Sequence, residues 1–203
     1  MKTSRLIGAL CAVIFAVITM SSHAALVGRD LDGNLTTAEA YYDTDANLTW
    51  LANANAAGTT MNWANANAWA AGLDIDGTAG ADGWRLPASD TCVGYNCTGS
   101  EMGNLFYNVL GNTAGSLSNT GPFSNVQSGE YWSSTEYAPN AGNAWRFFFD
   151  DGYQNDGFKI LGNYGWAVQS GDVGAAVVPV PAALWLFGSG LLALVGLGKQ
   201  RRR

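Results

Sequence analysis

The strongest constraint on the fold of this sequence is a pair of uncharged apolar segments. One lies near each end of the chain. The first covers residues 6–20 and the second covers residues 182–197. Segments of this kind belong to export signals or membrane anchors rather than to a globular core. The part between them, about 150 residues long, is enough for one domain with its own hydrophobic core.

The N-terminal segment has the layout of a secretory signal peptide. Met1–Arg5 supplies a short basic start, the apolar run follows, and Ser22-His23-Ala24 provides small residues at the first and third places. This order predicts a signal peptide over residues 1–24, with cleavage after Ala24 leaving Ala25 as the new N-terminus. An uncleaved membrane anchor is the alternative, although the run is short for a span of roughly 20 residues.

The C-terminal segment has the features of a membrane anchor with a defined direction. Its apolar residues 182–197 are marginal in length for a bilayer crossing, and the basic residues 199–203 follow them. Because positive charge stays on the cytoplasmic side, the domain is expected on the opposite side. Residues 173–203 are therefore interpreted as a linker and an anchoring or sorting tail.

The tail also carries the string VPVPAALWLFGSGLLALVGLG, in which Pro179-Val180-Pro181 precedes the apolar run. This string resembles the PEP-CTERM sorting signal, with Val180 where that motif has Glu. The resemblance implies processing by the export and exosortase machinery of a Gram-negative bacterium that makes extracellular polysaccharide. The protein is then expected in the periplasm, on the outer surface or in the extracellular matrix, held transiently by its C-terminal segment. A permanent tail anchor is the alternative.

The residues between the two segments are strongly acidic. All sixteen acidic residues lie there, but only four basic ones do, which gives this part a formal charge of −12. Binding nucleic acid requires basic side chains that neutralise phosphates, so no nucleic-acid partner is expected. Anionic lipid surfaces are disfavoured for the same reason.

Histidine is missing from the domain, since the single histidine, His23, lies in the signal peptide. Nucleophile systems that use an imidazole base and metal sites that use imidazole ligands are therefore excluded. The domain contains Cys92 and Cys97, which would lie in an exported compartment that favours oxidation. A structural disulfide between them is therefore expected. A redox-active pair is the alternative.

The hydrophobic patterns predict an α+β domain with helices early and strands late. Residues 40–43 and 47–51 form a predicted hairpin. A predicted helix follows around residues 61–71, with Met61, Ala64, Ala68 and Ala71 on one face and Trp63, Ala66 and Ala70 on another. A second helix is predicted from Thr98 to Leu110, where Thr98 and Glu101 have the spacing of a capping box.

Three strands are predicted in the last third, over residues 130–135, 144–149 and 165–170. The second of them places Trp145, Phe147 and Phe149 on one side and Arg146 and Phe148 on the other. Asp151-Gly152 is a hairpin-turn dipeptide that starts the return strand.

Six strings along the domain carry a second resemblance: DTDANLTWLANANAAGTTMNWANANAWAAGL, GWRLPASDTC, GSEMGNLFYNVLGN, GPFSNVQSGEYWSSTEYAPN, NAWRFFFDDGYQN and YGWAVQSGD. In this order they resemble the Lcl C-terminal-like domain family, over nearly all of residues 41–172. The resemblance implies a C-type-lectin-like or formylglycine-enzyme-like fold over a domain bounded at residues 25–172, with two helices packed on short antiparallel sheets. It also implies a surface adhesin for sulfated polysaccharide. The acidity of this domain instead favours a neutral glycan or another matrix component.

Aromatic and polar side chains in the last third are typical of a sugar-binding surface, because rings stack on sugars while carboxylates and amides bind hydroxyl groups. Trp145 and Trp166 are expected in the core, whereas Tyr137 and Tyr153 are expected to be exposed. The candidate ligand-binding residues are Trp132, Glu136, Tyr137, Asn140, Asn143, Asp150 and Tyr153.

The acidic residues of the domain are candidates for metal binding and for catalysis. Asp30, Asp32 and Asn34 have the initial spacing of a calcium loop, but Leu35 and Tyr41 stand where an EF-hand needs Gly and Glu. These residues therefore do not form an EF-hand. Ca²⁺ binding among the acidic residues stays an alternative, and no cofactor is expected. A non-catalytic binding protein is expected, with no catalytic residues. The alternatives are a structural matrix protein and a glycosidase that uses Glu136 with Asp150 or Asp151.

Overall fold

A computed structural model of the chain describes residues 26–75 and 83–176. The predicted signal peptide, its cleavage site at Ala24 and Ala25, and the Pro179-Val180-Pro181 motif with its tail lie outside the described residues. Within those two ranges, no helix combines the length and apolar character that a bilayer crossing requires.

The first sheet has five antiparallel strands: β1 (Leu26–Asp30), β2 (Ala40–Asp43), β3 (Leu48–Leu51), β7 (Val168–Ser170) and β8 (Ala175–Ala176). They lie in the order β7-β3-β2-β1-β8. The predicted hairpin is confirmed, since its two strands pair from Ala40 opposite Leu51 to Asp43 opposite Leu48. The late strand β7 is shorter than predicted, because the backbone of residues 165–167 leaves the regular ladder.

The second sheet is an antiparallel meander of three strands, β4 (Glu130–Glu136), β5 (Asn143–Phe148) and β6 (Gln154–Phe158). The turn between β5 and β6 contains Gly152 with a φ of 84°, a backbone conformation that residues other than glycine rarely adopt. A Cβ atom there would also lie 2.4 Å from the Tyr107 hydroxyl. The predicted Asp-Gly turn is thus confirmed.

The first helix, α1 (Trp63–Ala71), begins after Asn62, whose side chain accepts a hydrogen bond from the Asn65 backbone N–H. Only the face with Ala66 and Ala70 is buried. Of the other predicted face, Ala64, Ala68 and Ala71 point to solvent.

The second helix starts later than predicted. Ser100, not Thr98, is the N-cap, and its hydroxyl accepts a hydrogen bond from Gly103 N–H. The α-helical part, α2 (Glu101–Asn104), continues as a π-helical turn over Leu105–Val109. The Glu101 carboxylate takes no part in a capping box, since it accepts two hydrogen bonds from Arg85 and one from Ala88 N–H, each 2.7 Å long.

The core is unusually aromatic and joins the two sheets. The Trp166 ring packs against Trp50 of the first sheet at 5.3 Å and against Tyr131 of the second at 5.9 Å. Trp145 and Trp166 are both buried, as predicted. The residues thus form an α+β domain of two short helices and two small antiparallel sheets, and the predicted disulfide between Cys92 and Cys97 is confirmed.

Candidate functional site

Strand β5 separates the core from a solvent-facing surface by simple alternation. Trp145, Phe147 and the adjoining Phe149 are buried, whereas Arg146 and Phe148 on the opposite side are only half-buried. The predicted orientation of these residues is confirmed. The outer face of the second sheet is therefore the place where polar and aromatic side chains remain accessible together.

Three neighbouring residues determine the position of the Arg146 side chain. Its guanidinium forms an ion pair with Glu130 on β4, and its Nε donates a 3.0 Å hydrogen bond to Asn155 Oδ1 on β6. Gly157 allows this position, because a Cβ atom there would lie 2.7 Å from Arg146 Nε. The pairing fixes the side chain and neutralises its charge.

Arg146 and Glu130 form one wall of a cleft of about 380 Å³, which we call the Arg146 cleft. Thr60 and the segment after β6, with Leu161, Asn163 and Tyr164, complete it. The volume falls in the range of roughly 300–1,000 Å³ that is usual for small-molecule sites. Charged, amide and aromatic groups thus line one concave surface.

A row of three rings in edge-to-face contact extends from this cleft along the same face, and we call Phe148, Tyr153 and Tyr95 the aromatic row. The Arg146 guanidinium lies 5.1 Å from the centre of the Phe148 ring. Phe148 is 6.0 Å from Tyr153, and Tyr153 is 5.1 Å from Tyr95, both in edge-on contacts. The cleft and the row therefore form one continuous surface of rings and polar groups.

The disulfide loop positions the outermost ring of the row. Gly94 in this loop exchanges two backbone hydrogen bonds of 2.9 Å with Gln154 at the start of β6. The Tyr95 hydroxyl donates a 3.0 Å hydrogen bond to Asp151, which raises the pKa of the phenol above its ordinary value. Tyr95 nevertheless keeps 46% of its surface exposed, so its ring is available to a ligand.

The residues predicted from the sequence fall at opposite ends of the second sheet. Asp150 and Tyr153 lie at the β5–β6 turn, beside the aromatic row. At the other end, around the β4–β5 connection, are Glu136, Tyr137, Asn140 and Asn143. The sequence thus grouped residues that the fold separates by the length of a strand.

Side chains at the β4–β5 end mostly bind each other. Glu136 accepts a 2.7 Å hydrogen bond from Lys159, and Asn143 donates one of 2.5 Å to Asp156. Tyr137 packs edge-on against Trp145 at 5.2 Å. Tyr137 and Tyr153 are both half-buried, rather than exposed as expected.

Trp132 has no exposed surface at all. It shares the outer face with Arg146, its register partner, but the segment before α1 covers it and the indole N–H donates a 2.8 Å hydrogen bond to the Met61 carbonyl. Burial leaves this ring without a face for a ligand, and we place it outside the candidate surface.

The carboxylate pairs considered for a glycosidase are far apart. Glu136 pairs in register with Ala144, while Asp150 and Asp151 follow the other end of β5. Asp150 is six positions beyond Ala144, or roughly 20 Å at about 3.4 Å per residue. Glycosidase carboxylates lie about 5–10 Å apart, so these residues do not form such a pair.

An acidic cluster lies on the first sheet, away from this surface. Carboxylate oxygens of Asp30, Asp32 and Glu39 lie within 4.8 Å of one another, a spacing that suits a hard cation. Glu39 was not anticipated from the sequence, and the Asn34 side chain instead accepts hydrogen bonds from Thr36. Asp30 and Asp32 also accept bonds from the backbone of their own loop, which accounts structurally for part of the cluster.

The sequence pattern put Arg146 and Phe148 on the side of β5 opposite Trp145, but neither was among the candidate binding residues. The signal was available, because Arg146 is one of only four basic residues in the domain. Tyr95 and Tyr164 reach the surface from loops outside β5, and the buried Asn163 lies beside Tyr164. No periodic pattern marks such residues, and only the fold brings them together.

Comparison with known proteins identifies the family. No curated protein matches the chain significantly. The family model described as the Lcl C-terminal domain matches residues 39–169, which is well over half of the sequence and includes every residue of the Arg146 cleft and the aromatic row. The chain therefore belongs to the Lcl C-terminal domain family.

Proposed function

We propose that this protein is an exported, non-catalytic binding protein of the cell surface or extracellular matrix, and that it binds a glycan through the Arg146 cleft and the aromatic row. The proposal includes a C-type-lectin-like arrangement of the domain and a C-terminal tail of the PEP-CTERM kind. The observation that carries it is the continuity of a polar cleft with the three rings of the aromatic row on one face.

The chemistry of this surface suits a sugar. Hydroxyl groups both donate and accept hydrogen bonds, and the cleft offers a guanidinium and a carboxylate within one concavity. Ring faces beside such groups take up the C–H surfaces of a sugar. A carbohydrate chain that runs from the cleft along the aromatic row would use both kinds of contact.

The charges favour a neutral glycan. Arg146 is the cationic group of the cleft, and its ion pair with Glu130 leaves no net charge for an anionic sugar. The surrounding domain carries a formal charge of −12, which repels polyanions. A sulfated or uronate-rich polysaccharide therefore fits this surface less well than a neutral one.

The affinity of one site is expected to be modest. A shallow surface with few buried contacts corresponds to dissociation constants of the order of micromolar to millimolar. Many copies held on a surface by their tails would bind a repeating polysaccharide through avidity. The proposed tail and the proposed ligand thus fit one role at the surface of a polysaccharide-producing cell.

A glycan array with the purified protein, followed by two matched variants, tests the proposal. Tyr153→Ala and Tyr137→Ala each remove a half-buried tyrosine that packs edge-on against a neighbouring ring, but at opposite ends of the second sheet. Tyr153→Ala should weaken glycan retention several-fold, while Tyr137→Ala should leave it unchanged. Thermal unfolding of both variants controls for loss of fold.

The reverse outcome, with loss of retention only in Tyr137→Ala, would move the site to the β4–β5 end. If no glycan is retained at all, the binding proposal fails and the structural matrix role takes its place. Release of reducing sugar from a retained glycan would instead identify the protein as a glycosidase, with carboxylates other than the pairs considered above.

A further inference from the structure

Exposed apolar side chains are concentrated beside the Arg146 cleft. In residues 26–75 and 83–176, three of the six large hydrophobic side chains that are exposed fall within four residues at the end of β6. These are Phe158, Ile160 and Leu161, which are 61%, 87% and 41% exposed. A cluster of this kind on a soluble domain generally marks a contact surface.

Leu161, the member of this cluster that lines the cleft, gives it two chemically different walls. Glu130 and Arg146 on the sheet form the polar wall, and Leu161 lines the cleft from the segment after β6. A substituent that ends in a hydroxyl group gives the Leu161 side chain no apolar partner. A ligand with a methyl group in the right place would bury it.

The segment that carries Leu161 is fixed at both ends. Leu161 N–H donates to the Phe158 carbonyl, and Asn163 exchanges two backbone hydrogen bonds with Met61, of 2.8 and 3.0 Å. Tyr164 N–H donates to the Glu130 carbonyl at 2.9 Å, which ties the segment to β4. The apolar wall is therefore preformed, and little conformational entropy is lost when it contacts a ligand.

We infer that the Arg146 cleft selects a neutral sugar with an apolar substituent, such as a 6-deoxy sugar or an acylated sugar. This inference rests on the proposed glycan-binding function and specifies its ligand class. The polar wall binds the ring hydroxyls, and Leu161 contacts the methyl group of the substituent. A methyl group in an apolar subsite changes affinity by about 10-fold or more.

Sugar pairs that differ mainly at one methyl group test this selection. L-Fucose is the 6-deoxy form of L-galactose, and L-rhamnose is the 6-deoxy form of L-mannose. Binding of all four to the purified full-length protein would be measured by titration calorimetry or by ligand-observed NMR. We expect the 6-deoxy member of at least one pair to bind about 10-fold more tightly than its hydroxylated partner.

Two variants locate the source of the preference. Leu161→Asn should abolish the preference for the 6-deoxy sugar while keeping affinity for the hydroxylated partner. Val93→Asn is the matched control, because Val93 is 58% exposed in the disulfide loop and does not line the cleft. It should leave the preference unchanged, and thermal unfolding should show that both variants are folded.

The outcomes distinguish this inference from the proposed function. Equal affinity within both pairs, or a preference that survives Leu161→Asn, overturns the selection of an apolar substituent but leaves glycan binding intact. If none of the four sugars binds while other glycans are retained on the array, the ligand class is wrong. If no glycan is retained at all, both proposals fail.

Discussion

Removing the disulfide with the double substitution Cys92→Ser and Cys97→Ser should destabilise the domain by a modest amount. The bridge joins cysteines with a sequence separation of five, and the loop-closure relation gives about 2 kcal/mol for so short a loop. Substitution at Cys97 adds little, because a serine hydroxyl can donate to the Gly94 carbonyl, which lies 3.4 Å from the Cys97 sulfur. The expected decrease in the melting temperature is about 4–8 °C.

Thermal unfolding by circular dichroism provides the measurement, with free thiols counted before each scan. The native protein in excess reductant is an internal control, because it should lose the same stability without any change of sequence. Tyr95→Ala is a second control that removes a ring carried by the loop and keeps the bridge. If the reduced protein contains two free thiols and melts at the unreduced temperature, the loop-closure argument is refuted.

Three further predictions concern the core, an ion pair and the chain ends. Trp145→Ala should cost about 3–5 kcal/mol in urea unfolding, because the side chain is 3% exposed and its removal leaves a large cavity. The hydrogen bond from Arg29 lowers the pKa of Asp172, so the stability gained from this pair is present above about pH 4, the ordinary Asp range, and is lost as the pH falls further. The difference in melting temperature between the native protein and Asp172→Asn should therefore be present at pH 7 and decrease as the pH falls below about 4. Intact mass of the surface-exposed protein should show Ala25 as the first residue and no Arg201–Arg203; a species that retains these arginines would indicate a permanent anchor.

Local patterns were sufficient to predict much of the second sheet. Strands β4 and β5 were expected within one residue of their observed ends, because both are short segments rich in the aromatic residues that favour strands. The Asp151-Gly152 turn followed from the conformational freedom of glycine. These features depend on neighbouring residues, so one stretch of sequence contains the information.

The second helix was predicted less well because its capping residue depends on distant contacts. Thr98 and Glu101 have suitable spacing, but Arg85 binds Glu101 from sixteen positions upstream and Ser100 takes the cap. The site was predicted incompletely for a similar reason. Its rings come from the disulfide loop, β5 and the segment after β6, and tertiary packing alone decides which of them meet.

The pairing of β1 with the two-residue strand β8 affects how the domain would respond to mechanical force. Its register places Arg29 opposite Ala176 and Asp30 opposite Ala175, so tension applied through the C-terminal tail would open these two pairs one after the other. The next resistance is the ion pair between Arg29 and Asp172, with N···O distances of 2.5 and 2.8 Å. A copy held by the proposed tail under shear flow would therefore lengthen at β8 first, while the sheet that carries the Arg146 cleft stays folded.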